Sequence, residues 1–204
     1  MLGAHVLDRL LRTTSATVVC LVRAQTDEEA RTRVLESLRS RKLADPAPDR
    51  VQCYAARIGE SQLGLADDVY ADLVGRVTHI VHLAWPVNFA TSLASFEEHI
   101  AGVNRLGQLA LAGSQRPMLL FGSSLASVLG RPDALVREIW PSDDPAVAVP
   151  IGYAQSKWVA EKVCERIAAT GVRVVVARIG QLTGDTTRGI WNETEVRRRF
   201  RFAR

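Results

Sequence analysis

The sequence predicts an α/β protein in which helices pack on a parallel sheet. The chain has 204 residues, of which 47% are hydrophobic and 24% are charged, so it can bury one substantial core. Short runs rich in β-branched residues alternate with longer segments of helical period, which is the pattern of consecutive β-α-β units. No internal repeat or low-complexity linker interrupts the alternation, so we expect a single domain.

The predicted elements begin with a helix, because Val6, Leu7, Leu10 and Leu11 recur at helical spacing in the first segment. Periodicity, β-branched runs and turn signals predict the elements that follow. In order, they are a strand at 16–22, a helix at 27–42, a strand at 51–55, a helix at 67–75, a strand at 78–84, a helix at 92–113, a strand at 118–122, a helix at 153–170 and a strand at 172–177. The connection from 123 to 152 is long for a compact domain, and loops of that length are often functional.

The net charge of +4 comes from the end of the chain, where five arginines lie within the last eight residues. These are Arg197, Arg198, Arg199, Arg201 and Arg204. Without these five positive charges, the net charge of the chain would be −1. The rest of the sequence has no basic face with interleaved aromatic residues. We therefore expect no nucleic-acid partner, and we predict that 196–204 is a basic tail with no assigned role.

The sequence predicts neither a membrane span nor a signal peptide. The longest apolar runs, 16–22 and 172–177, are far shorter than the roughly 20 residues that cross a bilayer. The apolar N-terminal segment carries His5, Asp8 and Arg9, which the hydrophobic region of a signal peptide would not contain.

The cysteines and histidines predict no metal site. Cys20, Cys53 and Cys164 are far apart and lie in apolar periodic segments, so we expect buried thiols of a cytoplasmic protein. His79 and His82 form an H-x-x-H pattern, but residues three apart on a strand point to opposite faces.

A Y-x-x-x-K motif on a predicted helix is the first indication of chemistry. Tyr153 and Lys157 are one turn apart and share a face of the helix. An ammonium beside a phenol favours the phenolate, so we expect the pKa of Tyr153 to fall toward neutrality and the pair to work as an acid and base.

Ser123 and Ser124 follow the strand predicted at 118–122, at the carboxyl edge where open parallel sheets place ligands. A hydroxyl at this position could hold a substrate carbonyl. The alternative is that the serine pair only caps the end of the strand.

Together, Ser124, Tyr153 and Lys157 resemble the catalytic triad of the extended branch of the short-chain dehydrogenase/reductase superfamily. Longer stretches are similar to thioester reductase domains, the male-sterility-type NAD-binding domains found in nonribosomal peptide synthetase-like enzymes and carboxylic acid reductases. These stretches are 20–34, 62–65, 80–89, 121–130, 152–163 and 178–193. The resemblance covers roughly residues 2–195, and its Y-x-x-S-K-W-x-A-E block is much more specific than Y-x-x-x-K.

The resemblance implies a role for each residue of the triad and a cofactor. Tyr153 would protonate the nascent alkoxide, Lys157 would lower the pKa of Tyr153 and hold the nicotinamide ribose, and Ser124 would bind the carbonyl oxygen. The implied cofactor is NADPH, because Arg23 after the second strand of the family and Arg33 on the next helix match contacts to the adenosine 2′-phosphate.

Two further positions match cofactor-binding segments of the family. Ala84 matches the segment that lines the cofactor, and Gly3 matches the last glycine of the family's T-G-x-x-G-F-L-G turn. The family begins with a strand that leads into this turn, so the resemblance implies a Rossmann-like doubly wound sheet that lacks the first strand and the rest of the glycine-rich turn. In the strand order 3-2-1-4-5-6, strands 2 and 4 would then lose their shared neighbour.

The implied organisation is a partial NAD(P)-binding reductase domain at 1–195, followed by the tail at 196–204. Its implied activity is NADPH-dependent reduction of an acyl thioester, carried by a phosphopantetheinyl carrier domain, to an aldehyde or alcohol, unless the chain is an inactive fragment of such an enzyme. Two alternatives stay open. One is an extended-type reductase or epimerase that acts on a small carbonyl compound or a sugar nucleotide, and the other is a non-catalytic Rossmann-like binding module.

Overall fold

The computed structural model describes residues 2–131 and 136–190, within which five α-helices and five β-strands alternate. The helices are α1 (Leu2–Thr13), α2 (Asp27–Arg39), α3 (Asp67–Arg76), α4 (Glu97–Ala112) and α5 (Gly152–Ala169). The strands are β1 (Val18–Val22), β2 (Val51–Ala55), β3 (His79–His82), β4 (Met118–Ser124) and β5 (Val174–Ile179). The predicted α/β class and the predicted order of elements are confirmed.

All strand pairs are parallel, and the strands form two sheets. β1 pairs with β2 in one sheet, and the other has the order β3-β4-β5. The order 3-2-1-4-5-6 without its first strand gives this arrangement, because β1 and β3 are then the strands that would flank it. In the described residues, β1 and β3 do not pair with each other.

The two sheets share a hydrophobic core although β1 and β3 do not pair. Val19 and Leu21 of β1 pack against a buried cluster formed largely by α4, α5 and the β3-β4-β5 sheet. The buried members of this cluster are Leu63, Leu73, Ile80, Val103, Leu106, Leu109, Ala110, Leu119, Phe121, Ala160, Cys164 and Ile167. The carboxyl ends of the strands are therefore held by side-chain packing as well as by strand pairing.

A second, smaller core lies beneath α1 and α2. It consists of Ala4, Leu7, Leu38, Leu43 and Val51. Of the residues whose spacing predicted α1, Leu7 is therefore part of this core and Leu11 packs against it, as expected for an amphipathic surface helix.

Helix α2 begins five residues after β1 ends, and its first turn is stabilised by a side-chain cap and by acidic residues. The Thr26 hydroxyl accepts a hydrogen bond from the backbone N–H of Glu29 at 3.2 Å, and Asp27, Glu28 and Glu29 place negative charge in the first turn. Both features stabilise a helix N-terminus.

Strand β4 continues further than the sequence predicts. Its register partners on β5 extend to Arg178 opposite Ser123 and Ile179 opposite Ser124, so both serines belong to the strand. Pairing with a neighbour overrides the weak strand preference of a Gly-Ser-Ser sequence.

The expectation of three buried thiols is wrong for two of them. Cys164 is buried, whereas Cys20 and Cys53 are only partly buried and lie opposite each other in the register of β1 and β2. Both of these strands lie at an edge of their two-stranded sheet, which leaves them less covered than β4.

None of the helices in the described ranges is both long enough and apolar enough to span a membrane. The predicted basic tail at 196–204 lies outside the described residues.

Candidate active site

The structure brings Ser124, Tyr153 and Lys157 together at the carboxyl end of β4. Ser124 is the last residue of that strand, and its hydroxyl accepts a hydrogen bond from the backbone N–H of Ala126 at 3.2 Å. Tyr153 and Lys157 lie on the first two turns of α5, and Ser124 is near enough to Tyr153 to lower the pKa of the phenol. The three residues that the sequence motifs single out therefore lie near one another, and their roles stay a prediction.

A glycine sets the point at which α5 begins. A Cβ atom on Gly152 would stand 2.6 Å from the backbone carbon of Ser92 and 2.7 Å from the backbone nitrogen of Leu93. Real Cβ atoms essentially never come this close to a backbone, so only glycine allows α5 to start against this segment. The next residue, Tyr153, is positioned by that contact.

Tyr153 is half-buried among aromatic rings. Its ring centroid lies 5.1 Å from that of Phe89, with the planes at 85°, and 6.4 Å from that of Phe96. Burial raises the pKa of Tyr153 above its usual value, and the neighbouring Ser124 hydroxyl lowers it by a smaller amount.

The expectation that Lys157 draws the pKa of Tyr153 toward neutrality is therefore wrong for this structure. The physical reason is the direction of the lysine, since Lys157 Nζ donates to the backbone carbonyl of Gly122 at 2.6 Å instead of facing the phenol.

Lys157 is held in an aromatic cradle, with its Nζ 4.2 Å from the ring centroid of Trp85 and 4.6 Å from that of Phe121. Only 3% of the residue is exposed. Burial lowers the pKa of Lys157 to about 7, against a smaller opposing effect of the nearby Glu161. Its amine is therefore poised to gain or lose a proton near neutral pH.

The cradle includes residues that sequence reasoning missed. The Trp85 indole N–H donates to the Ser156 hydroxyl at 3.2 Å, and His82 stacks on Phe121 with centroids 5.8 Å apart. Burial lowers the pKa of His82 to about 4, with a further contribution from the charge of Lys157, so this imidazole is neutral at physiological pH. In the sequence, these contacts were indicated by Ser156 in the Y-x-x-S-K motif and by the aromatic residues Trp85 and Phe89 after β3.

A buried carboxylate adjoins the site and was also missed. Glu161 is 0% exposed and lies one turn after Lys157 on α5. Its Oε1 accepts a hydrogen bond from Ser123 and one of 2.6 Å from Ser127, while its Oε2 accepts two from Arg178, at 2.9 and 2.7 Å. In the sequence, this buried carboxylate was indicated by the glutamate that ends the K-W-x-A-E block, which is Glu161.

Two of the predicted cofactor-binding residues contact each other. Arg23 is exposed and directly follows β1, and Arg33 on α2 donates from its guanidinium to the backbone carbonyl of Arg23. Both Arg23 and Lys157 lie near enough to His99 that their charges lower its pKa, alongside the larger effect of burial.

The other two predicted cofactor residues differ in placement. Ala84 is exposed and lies two residues after the end of β3, next to Trp85. Gly3 lies in the first turn of α1, where a Cβ atom would meet nothing within 4 Å, so packing does not require glycine there. Their parts in cofactor binding stay predictions.

The residues present fit a nicotinamide dinucleotide at both of its ends. The exposed guanidinium groups of Arg23 and Arg33 suit the adenosine end, and the half-buried Tyr153 beside Ser124 suits the nicotinamide end. The fit depends on the chemistry of these groups and on their position at the carboxyl ends of β1 and β4, where open α/β sheets bind ligands.

The H-x-x-H pair has the geometry that a strand gives it. His79 is exposed and His82 is buried, so the two rings lie on opposite faces of β3. Within 2–131 and 136–190, no group of three or more His, Cys, Asp or Glu side chains could hold a metal ion.

A parallel α/β domain with Ser, Tyr and Lys at its carboxyl edge is a dinucleotide-binding domain of the Rossmann type. The chain belongs to the male sterility protein family of NAD-binding domains, whose profile matches residues 1–203. The family prediction is confirmed, and the cofactor class is a nicotinamide dinucleotide. The predicted boundary between 1–195 and 196–204 lies outside the described residues and stays a prediction.

Curated relatives of the chain are long biosynthetic enzymes. The 3-methylorcinaldehyde synthase tropA of Talaromyces stipitatus is 32% identical over 205 residues, which cover 95% of this chain and 8% of that protein. A carboxylic acid reductase of Neurospora crassa is 32% identical over 182 residues, which cover 87% of this chain and 17% of that protein. The chain thus spans less than a fifth of the length of either relative.

Solved structures of reductase domains are also similar to this chain. The terminal R domain from the myxalamid PKS-NRPS pathway superposes with a TM-score of 0.85 at 34% identity, covering 94% of this chain and 49% of that one. The reductase domain of a nonribosomal peptide synthetase from Mycobacterium tuberculosis superposes with a TM-score of 0.74 at 27% identity, covering 91% and 46%. A UDP-galactose 4-epimerase, with a TM-score of 0.59 and 17% identity over 90% of this chain and 54% of that one, shares the fold alone.

Proposed function

We propose that the chain is the nucleotide-binding part of an NADPH-dependent reductase that converts a carrier-bound acyl thioester to an aldehyde. The observation that carries this proposal is the meeting of Ser124, Tyr153 and Lys157 at the carboxyl end of β4, in a chain whose relatives include a carboxylic acid reductase. Names of relatives alone would not assign a reaction, and a Ser/Tyr/Lys set alone would suit many carbonyl compounds.

The proposed reaction balances as the addition of a hydride and a proton to the thioester. NADPH supplies the hydride to the carbonyl carbon when it is bound. Tyr153 donates its phenolic proton to the oxygen, and Ser124 hydrogen-bonds that oxygen. The C–S bond of the resulting thiohemiacetal then breaks, which releases the aldehyde and the free thiol of the phosphopantetheinyl carrier.

The pKa of Tyr153 supports its role as the acid. Because burial raises this pKa above its usual value, the phenol is protonated at neutral pH and is available as a donor. Lys157, with a pKa of about 7, exchanges protons readily in the same pH range and is the group we propose to reload Tyr153. This transfer requires the Nζ to leave the Gly122 carbonyl and turn toward the site.

Arg23 and Arg33 support NADPH over NADH. Both residues are exposed, and the Arg33 guanidinium donates to the backbone carbonyl of Arg23, so the two arginines are neighbours at the end of β1. A phosphate monoester pairs well with such a group, whereas NADH offers only a hydroxyl there.

The test is a titration of the 204-residue chain with NADPH, and with NADH as the control, followed by nicotinamide fluorescence and by thermal unfolding. Saturable binding that favours NADPH and raises the melting temperature is the expected result. The chain is then incubated with NADPH and an acyl-phosphopantetheine thioester, and aldehyde is measured against a small free aldehyde and a sugar nucleotide as competing substrates.

Tyr153→Phe and Tyr70→Phe form a matched pair for this assay, since Tyr70 lies on α3 outside the candidate site. Tyr153→Phe is expected to reduce aldehyde formation by about 10²-fold or more and to leave NADPH binding intact. Equal rates in the two variants, or turnover of the sugar nucleotide in preference to the thioester, would contradict the proposal.

A further inference from the structure

Glu161 is a fully buried charge that joins three parts of the fold. It lies on α5, its Oε1 faces two serines at the end of β4, and its Oε2 faces Arg178 on β5. An unpaired carboxylate in this position would strongly destabilise the fold, so Glu161 can be buried here only because its oxygens are hydrogen-bonded.

The serine contacts of Glu161 fix both sides of Ser124. The hydroxyl of Ser123, the residue before Ser124, donates a hydrogen bond to Oε1. The Ser127 hydroxyl lies 2.6 Å from Oε1 and 2.7 Å from the backbone carbonyl of Ser124, and its single proton serves one of these acceptors at a time. The short turn that carries the Ser124 hydroxyl is thereby fastened to α5.

The Arg178 contact extends the same connection to the long loop. Besides its two bonds to Glu161, Arg178 donates to the backbone carbonyls of Arg137 at 3.1 Å and Ile139 at 2.9 Å. The side chain of Arg178 is 14% exposed, so this pairing is screened less than a surface salt bridge.

We propose that Glu161 is a positioning residue, which holds Ser124 in register with Tyr153 and Lys157 by fastening the end of β4 to α5. This inference rests on the proposed function, because it assigns Glu161 a part in setting the geometry of that reaction. Stability of the fold does not by itself explain why a charged residue lies at this position, since well-packed apolar side chains often stabilise a core as well as a buried ion pair does.

The experiment compares Glu161→Gln with Glu165→Gln. Glu165 lies on the same helix one turn further, pairs with Lys162 and is 34% exposed, so it controls for loss of an α5 carboxylate. Ser127→Ala is a third variant, which removes the link to the Ser124 carbonyl without changing charge. Turnover with the thioester, NADPH affinity, thermal unfolding and Tyr153 titration are measured for all three.

We expect Glu161→Gln to lower kcat by about 10²-fold, as for misplacement of a reacting group by about 1 Å, with little change in KM or NADPH affinity. Ser127→Ala is expected to lower kcat by about fivefold, the effect of one net hydrogen bond. Glu165→Gln should retain the activity of the unaltered chain. Equal kcat for Glu161→Gln and Glu165→Gln, or a loss of kcat that only follows the fraction unfolded, would overturn the proposal.

The titration of Tyr153 separates positioning from electrostatics and needs no turnover. The chain has three tyrosines, so 13Cζ labelling of tyrosine resolves each one by NMR. Removal of a negative charge can only lower the pKa of a phenol on which it acts, whereas loss of the Ser124 contact, which lowers the pKa of Tyr153, would raise it. We expect a rise in Glu161→Gln and in Ser127→Ala, and none in Glu165→Gln.

A fall or no change in the Tyr153 titration of Glu161→Gln overturns the positioning role. If the unaltered chain binds NADPH but reduces no thioester, the proposed function fails by itself. The direction of the Tyr153 titration then still decides whether Glu161 positions Ser124.

Discussion

Lys157 Nζ donates a hydrogen bond of 2.6 Å to the backbone carbonyl of Gly122, two residues before Ser124 on the same strand. The contact turns a charged side chain into the core, where only 3% of the residue is exposed. It joins α5 to β4 next to the candidate site, and it leaves Tyr153 without the cation that the sequence motif leads one to expect.

Replacement of Lys157 by methionine is expected to stabilise the fold at low pH and abolish thioester reduction. Burial lowers the pKa of Lys157 from 10.5 to about 7, so below about pH 7 the folded state holds a buried ammonium at a cost. Between about pH 7 and 10.5 the unfolded chain binds more protons, so the stability of the unaltered protein rises with pH. Methionine fits beside Trp85 and Phe121 and removes this penalty.

Lys157→Met is expected to raise the free energy of unfolding by about 1–3 kcal/mol at pH 6, and this increase disappears by about pH 10. Urea unfolding at both pH values measures it, with Lys162→Met as the control, because Lys162 lies on the same helix, is only partly buried and pairs with Asp143 and Glu165. A gain that does not depend on pH would show that packing, and not the buried charge, decides the stability.

The preference for NADPH is expected to depend on Arg23. Arg23→Ala should weaken NADPH binding by about tenfold and leave NADH binding unchanged, because only NADPH offers a charged partner to an exposed guanidinium. Arg33→Ala should have a smaller effect, since Arg33 acts partly through the Arg23 carbonyl. Fluorescence titrations at two salt concentrations measure both changes.

Arg31→Ala is the matched control for these two variants, because Arg31 is an exposed arginine on the same helix, α2. An equal loss of NADPH and NADH affinity in Arg23→Ala would mean that the arginine supports the fold of the site and does not choose between the cofactors.

The sequence could predict the elements and the three residues that meet at the site. Periodicity located α1 and α5, and the family blocks located Ser124, Tyr153 and Lys157 in one place. These features are local or depend on a motif, so a single sequence carries them.

The direction of Lys157 and the partners of Glu161 could not be predicted. Both depend on how α5 packs against β4 and β5, which brings Glu161 to residues 38 and 17 positions away in sequence. Spacing on one helix gives no information about contacts across elements, and the same limit explains why the pKa of Tyr153 was expected to shift in the wrong direction.

Gly152→Ala is expected to destabilise the protein and to displace Tyr153. A Cβ atom at Gly152 would stand 2.6 Å from the backbone carbon of Ser92, and backbone cannot move away as a flexible side chain can. Overpacking of this kind costs about 1–3 kcal/mol. Thermal unfolding and aldehyde formation measure the two effects.

Gly75→Ala is the control for that glycine variant. Gly75 lies on α3, and a Cβ atom there would meet nothing within 4 Å. Alanine at this position should stabilise the helix by about 0.5–1 kcal/mol. A loss of stability of similar size in both variants would show that the close approach at Gly152 does not govern the position of α5.

Cys53 is expected to react faster with iodoacetamide than the other two cysteines. The neighbouring Cys20 thiol lowers the pKa of Cys53 while the pKa of Cys20 itself is raised, and Arg31 adds a smaller favourable effect on the Cys53 thiolate. Burial raises the pKa of Cys164 to about 12, and that residue is also inaccessible. Since the thiolate is the nucleophile, alkylation at pH 7.5 should label Cys53 first, as measured by peptide mass spectrometry. Cys20→Ser should keep this order and Arg31→Ala should slow the labelling of Cys53, whereas early labelling of Cys164 would show that α5 opens away from the core.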